Sequence, residues 1–213
     1  MPLAPLLSIL EWGILFPMKK SPLPKNPFSK PFQVESTSFV KESLQQDAYN
    51  DTAFIKCDFT ETLFYNTHFC DCVFIQCQFN LNKWDGARLQ NCQFADCKLV
   101  GADLFKCDPL FFSPNFINCH IILANFSELP MNEVMFDSCK LSECYFNHTH
   151  LKKANFKGSI LTGSRFHGCD LTKADFSKAS DYFIDPAANT IKQAKFSLPE
   201  AIGLLKGLEI DLI

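Results

Sequence analysis

Residues 57–79 read CDFTETLFYNTHFCDCVFIQCQF, and four of these positions are cysteine: Cys57, Cys70, Cys72 and Cys77. Cysteines this dense invite four readings: metal ligands, disulfide partners, a catalytic thiol with helpers, or a structural role. The aromatic residues of the same stretch decide between them. Phe59, Phe64, Phe69, Phe74 and Phe79 lie five residues apart, and the count begins at Phe54 and runs on through Trp84, Leu89, Phe94, Leu99 and Leu104. After a two-residue slip it resumes at Phe116 and passes through Ile121, Phe126, Met131, Phe136, Leu141, Phe146, Leu151, Phe156, Leu161, Phe166 and Leu171 to Phe176. All 24 positions are large and apolar, fourteen of them Phe and seven Leu. A helix repeats every 3.6 residues and a strand every two, so neither alone gives a period of five.

The cysteines follow the same count. Nine of the eleven stand two residues before a large apolar centre: Cys57, Cys72, Cys77, Cys92, Cys97, Cys119, Cys139, Cys144 and Cys169. Elsewhere that position is mostly Thr, Ala or Ser, as at Thr62, Ala87, Ala102 and Ser159. Cys107 keeps the first frame where that frame breaks, and Cys70 is out of step. The unit is small–x–large–x–x, seen cleanly in ADLFK (102–106), ANFKG (154–158), CDLTK (169–173) and ADFSK (174–178).

This pattern resembles the pentapeptide-repeat family, over residues 52 to 178. The resemblance implies an all-β fold, a right-handed quadrilateral β-solenoid (pentapeptide-repeat β-helix). Four units would make a coil, with the large residue and the small one before it pointing inward. Six coils are expected, stacked at the parallel-strand spacing of about 4.8 Å. Residues twenty apart should then stack, Cys57, Cys77 and Cys97 in one column, Cys72 with Cys92, and Cys119 with Cys139 in shorter ones. In this role cysteine is a small hydrophobe, and only Cys70 and Cys107 are expected to reach solvent.

The sharper readings fare worse. No paired Cys-x-x-Cys occurs, and Cys70 would point away from Cys72 and Cys77, which disfavours zinc. Stacked cysteines have parallel side-chain vectors and a poor disulfide dihedral. A catalytic thiol needs a lowered pKa and a base. His120, His148, His150 and His167 lie near cysteines, but as solvent-facing residues. No phosphate loop, nucleophile elbow or His-Glu-x-x-His is present. No catalytic, cofactor-binding or metal-ligating residue is therefore expected, and the protein should not be an enzyme.

The net charge is −3, and residues 52–178 hold thirteen acidic and twelve basic side chains. So even a balance points to neither nucleic acid nor an anionic membrane. The apolar start LAPLLSILEWGILF (3–16) has no basic region before it, contains Pro5 and Glu11, and is too short to span a bilayer. Residues 1–33 are expected to be a disordered or extended N-terminal segment, with 34–178 the solenoid and 179–213 a C-terminal cap with a helix. A cytoplasmic location is expected.

Two irregularities stand out. Across KCDPLFFSPNF (106–116), Pro109 and Pro114 interrupt the ladder and Phe111 and Phe112 add aromatics between centres. That segment is either a bulge that tucks a phenylalanine under itself or a protruding contact loop whose Asp108, Pro109, Leu110, Phe111 and Phe112 bind a partner. Trp84 exceeds the width of the shaft, so an outward kink near Gly86 is expected. After Phe176 the count stops. Ser197 reads as the N-cap of a short α-helix with Pro199 and Glu200 in its first turn. Its apolar stripe Leu198, Ile202 and Leu205, continued by Leu208, Ile210 and Leu212, is expected to be a dimer interface.

A pentapeptide rod closing in a helix and an apolar end resembles the quinolone-resistance branch of the family, Qnr and MfpA. The resemblance implies a homodimer that binds DNA gyrase as a mimic of a DNA duplex, with no direct nucleic-acid binding and no membrane. The alternative is a structural scaffold that binds an unrelated protein.

Overall fold

The computed structural model describes residues 32–208. Residues 1–31 and 209–213, with them Ile210 and Leu212, lie outside the described residues, as does the side chain of Leu208.

Short strands of two to four residues pair in parallel with strands one coil away, so the chain winds as a β-solenoid. Its first side carries the strands Phe32–Glu35, Thr52–Ile55, Val73–Ile75, Gln93–Ala95, Asn115–Ile117 and Phe136–Asp137 in one six-stranded sheet. Bridges from Met135 to Asn155 and Asn155 to Asp175 continue that side, and Phe176 pairs with Phe196. The rungs are centred on Val34, Phe54, Phe74, Phe94, Phe116, Phe136, Phe156, Phe176 and Phe196, which makes about eight turns. The second side is centred on Phe59, Phe79, Leu99, Ile121 and Leu141, the third on Phe64, Trp84, Phe126, Phe146 and Phe166, the fourth on Phe69, Leu89 and Phe112.

The five-residue period has a backbone cause. Two residues after nearly every centre the chain turns a corner in the left-handed region, at Lys56 (φ 53°), Glu61 (57°), Asn66 (54°) and Asp71 (54°), for example. Gly86 takes the same corner at φ 69°, where a Cβ would clash with Asn66 Oδ1. Left-handed backbone in non-glycine residues costs on the order of 1 kcal/mol each and persists only where the surroundings impose it. Here the parallel ladders do so on both sides of each corner.

Inside, the large residues stack coil on coil. Phe54, Phe74, Phe94, Phe116, Phe136, Phe156, Phe176 and Phe196 form one column of near-parallel rings, with centroids 4.7–5.2 Å apart. Rings of neighbouring sides meet edge to face, as Phe136 does with Phe126 at 5.5 Å and 83°. Both geometries are the favoured ones for aromatic pairs.

The small position is more than a filler. Its side chain donates to the backbone carbonyl of a centre in the coil below: Thr62 to Phe39 at 2.7 Å, Ser159 to Phe136 at 2.7 Å, and Cys72, Cys77 and Cys97 to Tyr49, Phe54 and Phe74 at 3.3 Å. That side chain can also accept from the coil before it, as Ser159 does from the Cys139 N–H at 2.9 Å and Cys97 Sγ from the Cys77 N–H at 3.4 Å. Burial favours such partners for the polar atoms of the shaft, and among the described buried side chains Asn82 Oδ1, Trp84 Nε1 and Tyr182 Oη are the atoms left without one. Cysteine, threonine and serine are small enough to fit and still donate.

Several expectations need correction. The solenoid begins at Phe32, two residues before the expected boundary, and its first coil, ahead of the recognised repeat count, has Val34, Phe39, Leu44 and Tyr49 as inward centres. It also continues past residue 178. Tyr182 and Ile184 turn inward off the count, and Ile191 and Phe196 return to it. Trp84 makes no outward kink: it is fully buried, its indole 4.5 Å from the Phe64 ring and tilted by 36°. A flat ring lying along the stack needs little extra width, although its Nε1 is left without a hydrogen-bond partner. Cys57, Cys77, Cys97, Cys119 and Cys139 form one continuous column instead of two, because the loop before Cys119 absorbs the slip. The terminal helix Glu200–Leu208 is 3-10, not α. Ser197 does not cap it, since its hydroxyl accepts from the Lys178 N–H at 2.8 Å.

Candidate interaction surface

The frame break near residue 110 is a braced projection. From Leu104 to Phe112 the chain takes eight residues to reach the next inward centre, where five is the rule, and it then needs only four to reach Phe116. Two 3-10 turns, Leu104–Lys106 and Pro109–Phe111, take up the surplus. Phe112 is buried as the fourth-side centre and bridges to Leu89. It is therefore core, not a partner contact, because the shaft has a vacancy there that only a large apolar side chain fills.

The rest of the loop faces outward on a firm base. Asp108 accepts from the Leu110 N–H at 3.1 Å and pairs with Arg88 Nε at 3.0 Å. The Arg88 guanidinium also lies 4.4 Å from the centre of the Phe111 ring. Ser113 Oγ accepts from the Asn91 N–H at 2.8 Å. On this base Leu110 is 86% exposed, Phe105 43% and Phe111 36%. Arg88 and Phe105 were not among the expected loop residues. Arg88 was discoverable, since it precedes Asp108 by one coil length.

Of the expected C-terminal stripe, the structure describes the side chains of Leu198, Ile202 and Leu205. Leu204, which was not singled out, packs against the core cluster, as do the partly buried Ile191 and Phe196. Leu198, Ile202 and Leu205 face away and are 77%, 44% and 36% exposed. Within the described residues the tail thus covers the last coil with one leucine and leaves three apolar side chains outside.

A family model described as pentapeptide repeats matches eight copies over residues 83–108 and 139–177. Together with the five-residue corners and parallel ladders, that decides the repeat. The chain carries pentapeptide repeats wound into a β-solenoid. A trypsin-treated variant of QnrB1, a plasmid-mediated fluoroquinolone resistance protein, aligns over 90% of this chain and 95% of its own with 20% identity and a TM-score of 0.60. Full-length QnrB1 aligns over 84% of this chain and 100% of its own with 18% identity and a TM-score of 0.46. HetL, a pentapeptide-repeat protein involved in heterocyst differentiation regulation in the cyanobacterium Nostoc, aligns over 78% and 85% with 16% identity and a TM-score of 0.31. None of the curated proteins matches in sequence.

In this solenoid all eleven cysteines are free and ten are buried. Cys107, expected to reach solvent, is among the buried ones and belongs to the core cluster of the shaft. Burial pushes the Cys92 and Cys107 thiols well above their ordinary range and those of Cys72 and Cys144 up to about 12. Partly exposed Cys70 is raised to about 11 by desolvation and by its hydrogen bond to Asp71. At neutral pH each of these is a thiol, not the thiolate that nucleophilic or metal chemistry needs. Among the described residues no group of three or more His, Cys, Asp or Glu is placed to hold a metal ion, and no helix is long and apolar enough to cross a membrane.

Proposed function

We propose that this protein is a non-catalytic binding module that docks on DNA gyrase through the braced loop Leu104–Ser113, in the manner its likeness to the quinolone-resistance branch implies. The observation that carries the reading is Leu110, the most exposed apolar side chain described, held out on a loop fixed by Asp108 and Arg88. An apolar anchor on a preordered loop loses little entropy on binding and suits a pocket on a protein partner. The charge distribution supports a duplex mimic in one part of the molecule. Residues 32–110 hold eleven acidic and six basic side chains, whereas residues 111–198 hold eight and nine.

A supercoiling assay with purified gyrase and a fluoroquinolone tests this. Micromolar wild-type protein should restore supercoiling in the presence of drug, and Leu110→Ser with Phe111→Ser should need at least about tenfold more protein, as loss of a hot-spot pair would cause. No effect of the wild type on gyrase, with or without drug, would leave a scaffold for another protein.

The same module is proposed to act as a homodimer joined through Leu198, Ile202 and Leu205. These side chains would be covered by the same residues of a second copy about a two-fold axis. Light scattering at tens of micromolar should give twice the chain mass for the wild type and the monomer mass for Leu205→Glu. A wild-type monomer under those conditions would reduce the tail to a cap.

A further inference from the structure

Three successive passes from the fourth side to the first read LKKANFKG (151–158), LTKADFSK (171–178) and IKQAKFS (191–197). The fold stacks them directly. Lys153 N–H donates to Thr172 O, Lys173 N–H to Lys192 O, and Gly158 N–H to Ser177 O, while Asp175 pairs with Lys195. Seven lysines, Lys152, Lys153, Lys157, Lys173, Lys178, Lys192 and Lys195, therefore share two adjoining sides within three coils, and all seven are exposed. Lys153 pairs with Glu133 at 3.1 Å and Lys195 with Asp175 at 3.6 Å. None of the other five makes an ion pair with a described carboxylate, although Lys152 lies near Asp170 and adds to the hydrogen bonds of Thr172 in holding that carboxyl below its ordinary range. Lys153 and Lys173 occupy consecutive corners of one column, both at left-handed φ. Like charges stacked directly across a ladder destabilise it, so this arrangement works against the fold that displays it.

We propose that this lysine-lined edge binds the phosphodiester backbone of a nucleic acid. The flat sheet offers cations at coil spacing, interleaved with Thr172, Ser177, Asn155 and Gln193, which can donate to phosphate oxygens. It has neither exposed aromatics nor arginine, the residues that anchor protein–protein interfaces, and lysine is depleted in such interfaces. The overall charge of −3 conceals the edge because residues 32–110 carry eleven acidic side chains against six basic ones. This surface is separate from the loop at Leu110 and the site proposed there for gyrase.

The test is fluorescence polarisation with labelled 20-base-pair DNA and RNA duplexes and no gyrase present. Wild-type protein should bind at 50 mM salt. With about five phosphates neutralised, affinity should fall about 500-fold between 50 and 200 mM. Lys152→Glu with Lys173→Glu and Lys192→Glu should weaken binding at least about thirtyfold at 50 mM salt. A control of equal charge change on other parts of the surface, Lys83→Glu with Lys98→Glu and Lys140→Glu, should retain most of it. Preference for one duplex over the other assigns the source of the phosphate. No binding at 100 µM protein would overturn the proposal, as would equal losses in the two triple variants. Displacement of duplex by polyglutamate at equal charge would overturn it too, and would point to an acidic protein instead.

Discussion

Phe136→Lys is expected to abolish the folded solenoid, while Ser142→Lys, six residues further on, leaves it intact. Phe136 has no exposed surface and lies between the rings of Phe116 and Phe156, each 5.0 Å away and within 11° of parallel. Phe126 and Phe146 close the sides at 5.5 and 5.9 Å. Truncating such a residue costs roughly 3–5 kcal/mol through lost burial and the cavity left behind. An ammonium placed there has no carboxylate to pair with and adds several kcal/mol more. A domain stable by about 5–15 kcal/mol does not survive that sum. Ser142 faces outward next to the centre Leu141, and its change should stay within about 0.5 kcal/mol. Urea unfolding followed by circular dichroism measures both. Similar midpoints for the two variants would mean that the inward frame is misassigned.

The second large effect separates two adjacent phenylalanines. Phe112→Ser should cost roughly 3–5 kcal/mol, because it empties the fourth-side centre above Leu89. Phe111→Ser should cost under about 1 kcal/mol, since its ring lies outside against the Arg88 guanidinium at 4.4 Å, a contact worth about 0.5–1 kcal/mol when exposed. The ranking reverses for function: Phe111→Ser should fold normally and bind gyrase less well. Thermal melts beside a binding assay read both. Equal stability losses at the two positions would remove the distinction between core and projection.

The repeat was legible because the interior admits so few side chains. A large apolar residue every fifth position, with Cys, Thr, Ala or Ser two places before it, can arise only where the shaft selects both. Legibility fails where that selection relaxes. In the first coil the positions before the centres hold Phe32, Thr37, Glu42 and Asp47, and Val34, Phe39 and Tyr49 are only partly buried, so the pattern blurs. In the last coil Tyr182 and Ile184 point inward from off-count positions. Trp84 misled because side-chain volume says nothing about ring orientation in a stack. The cysteines were placed correctly inside, yet their donation to carbonyls such as Phe54 O depends on geometry that spacing alone does not carry. The loop was found as a break in the count, but which phenylalanine fills the shaft was settled only by the eight-then-four division of the chain. Leu204 went unmarked as a core contact because the stripe was drawn on an α period, whereas the terminal helix is 3-10 with a shorter turn.

The division of each unit into two inward and three outward positions has a consequence for how such proteins diverge. Only the two inward positions are held to a narrow alphabet, and even there Phe, Leu, Ile, Met and Trp are all accommodated. The other three can be rewritten with little disturbance to the ladders, since most of the coil-to-coil hydrogen bonds run between backbone groups. Two chains can therefore keep the same winding while sharing 20% of their residues, as this one does with the trypsin-treated QnrB1 variant at a TM-score of 0.60. Lineages of this architecture change their outer text freely and preserve only the thread on which it is written.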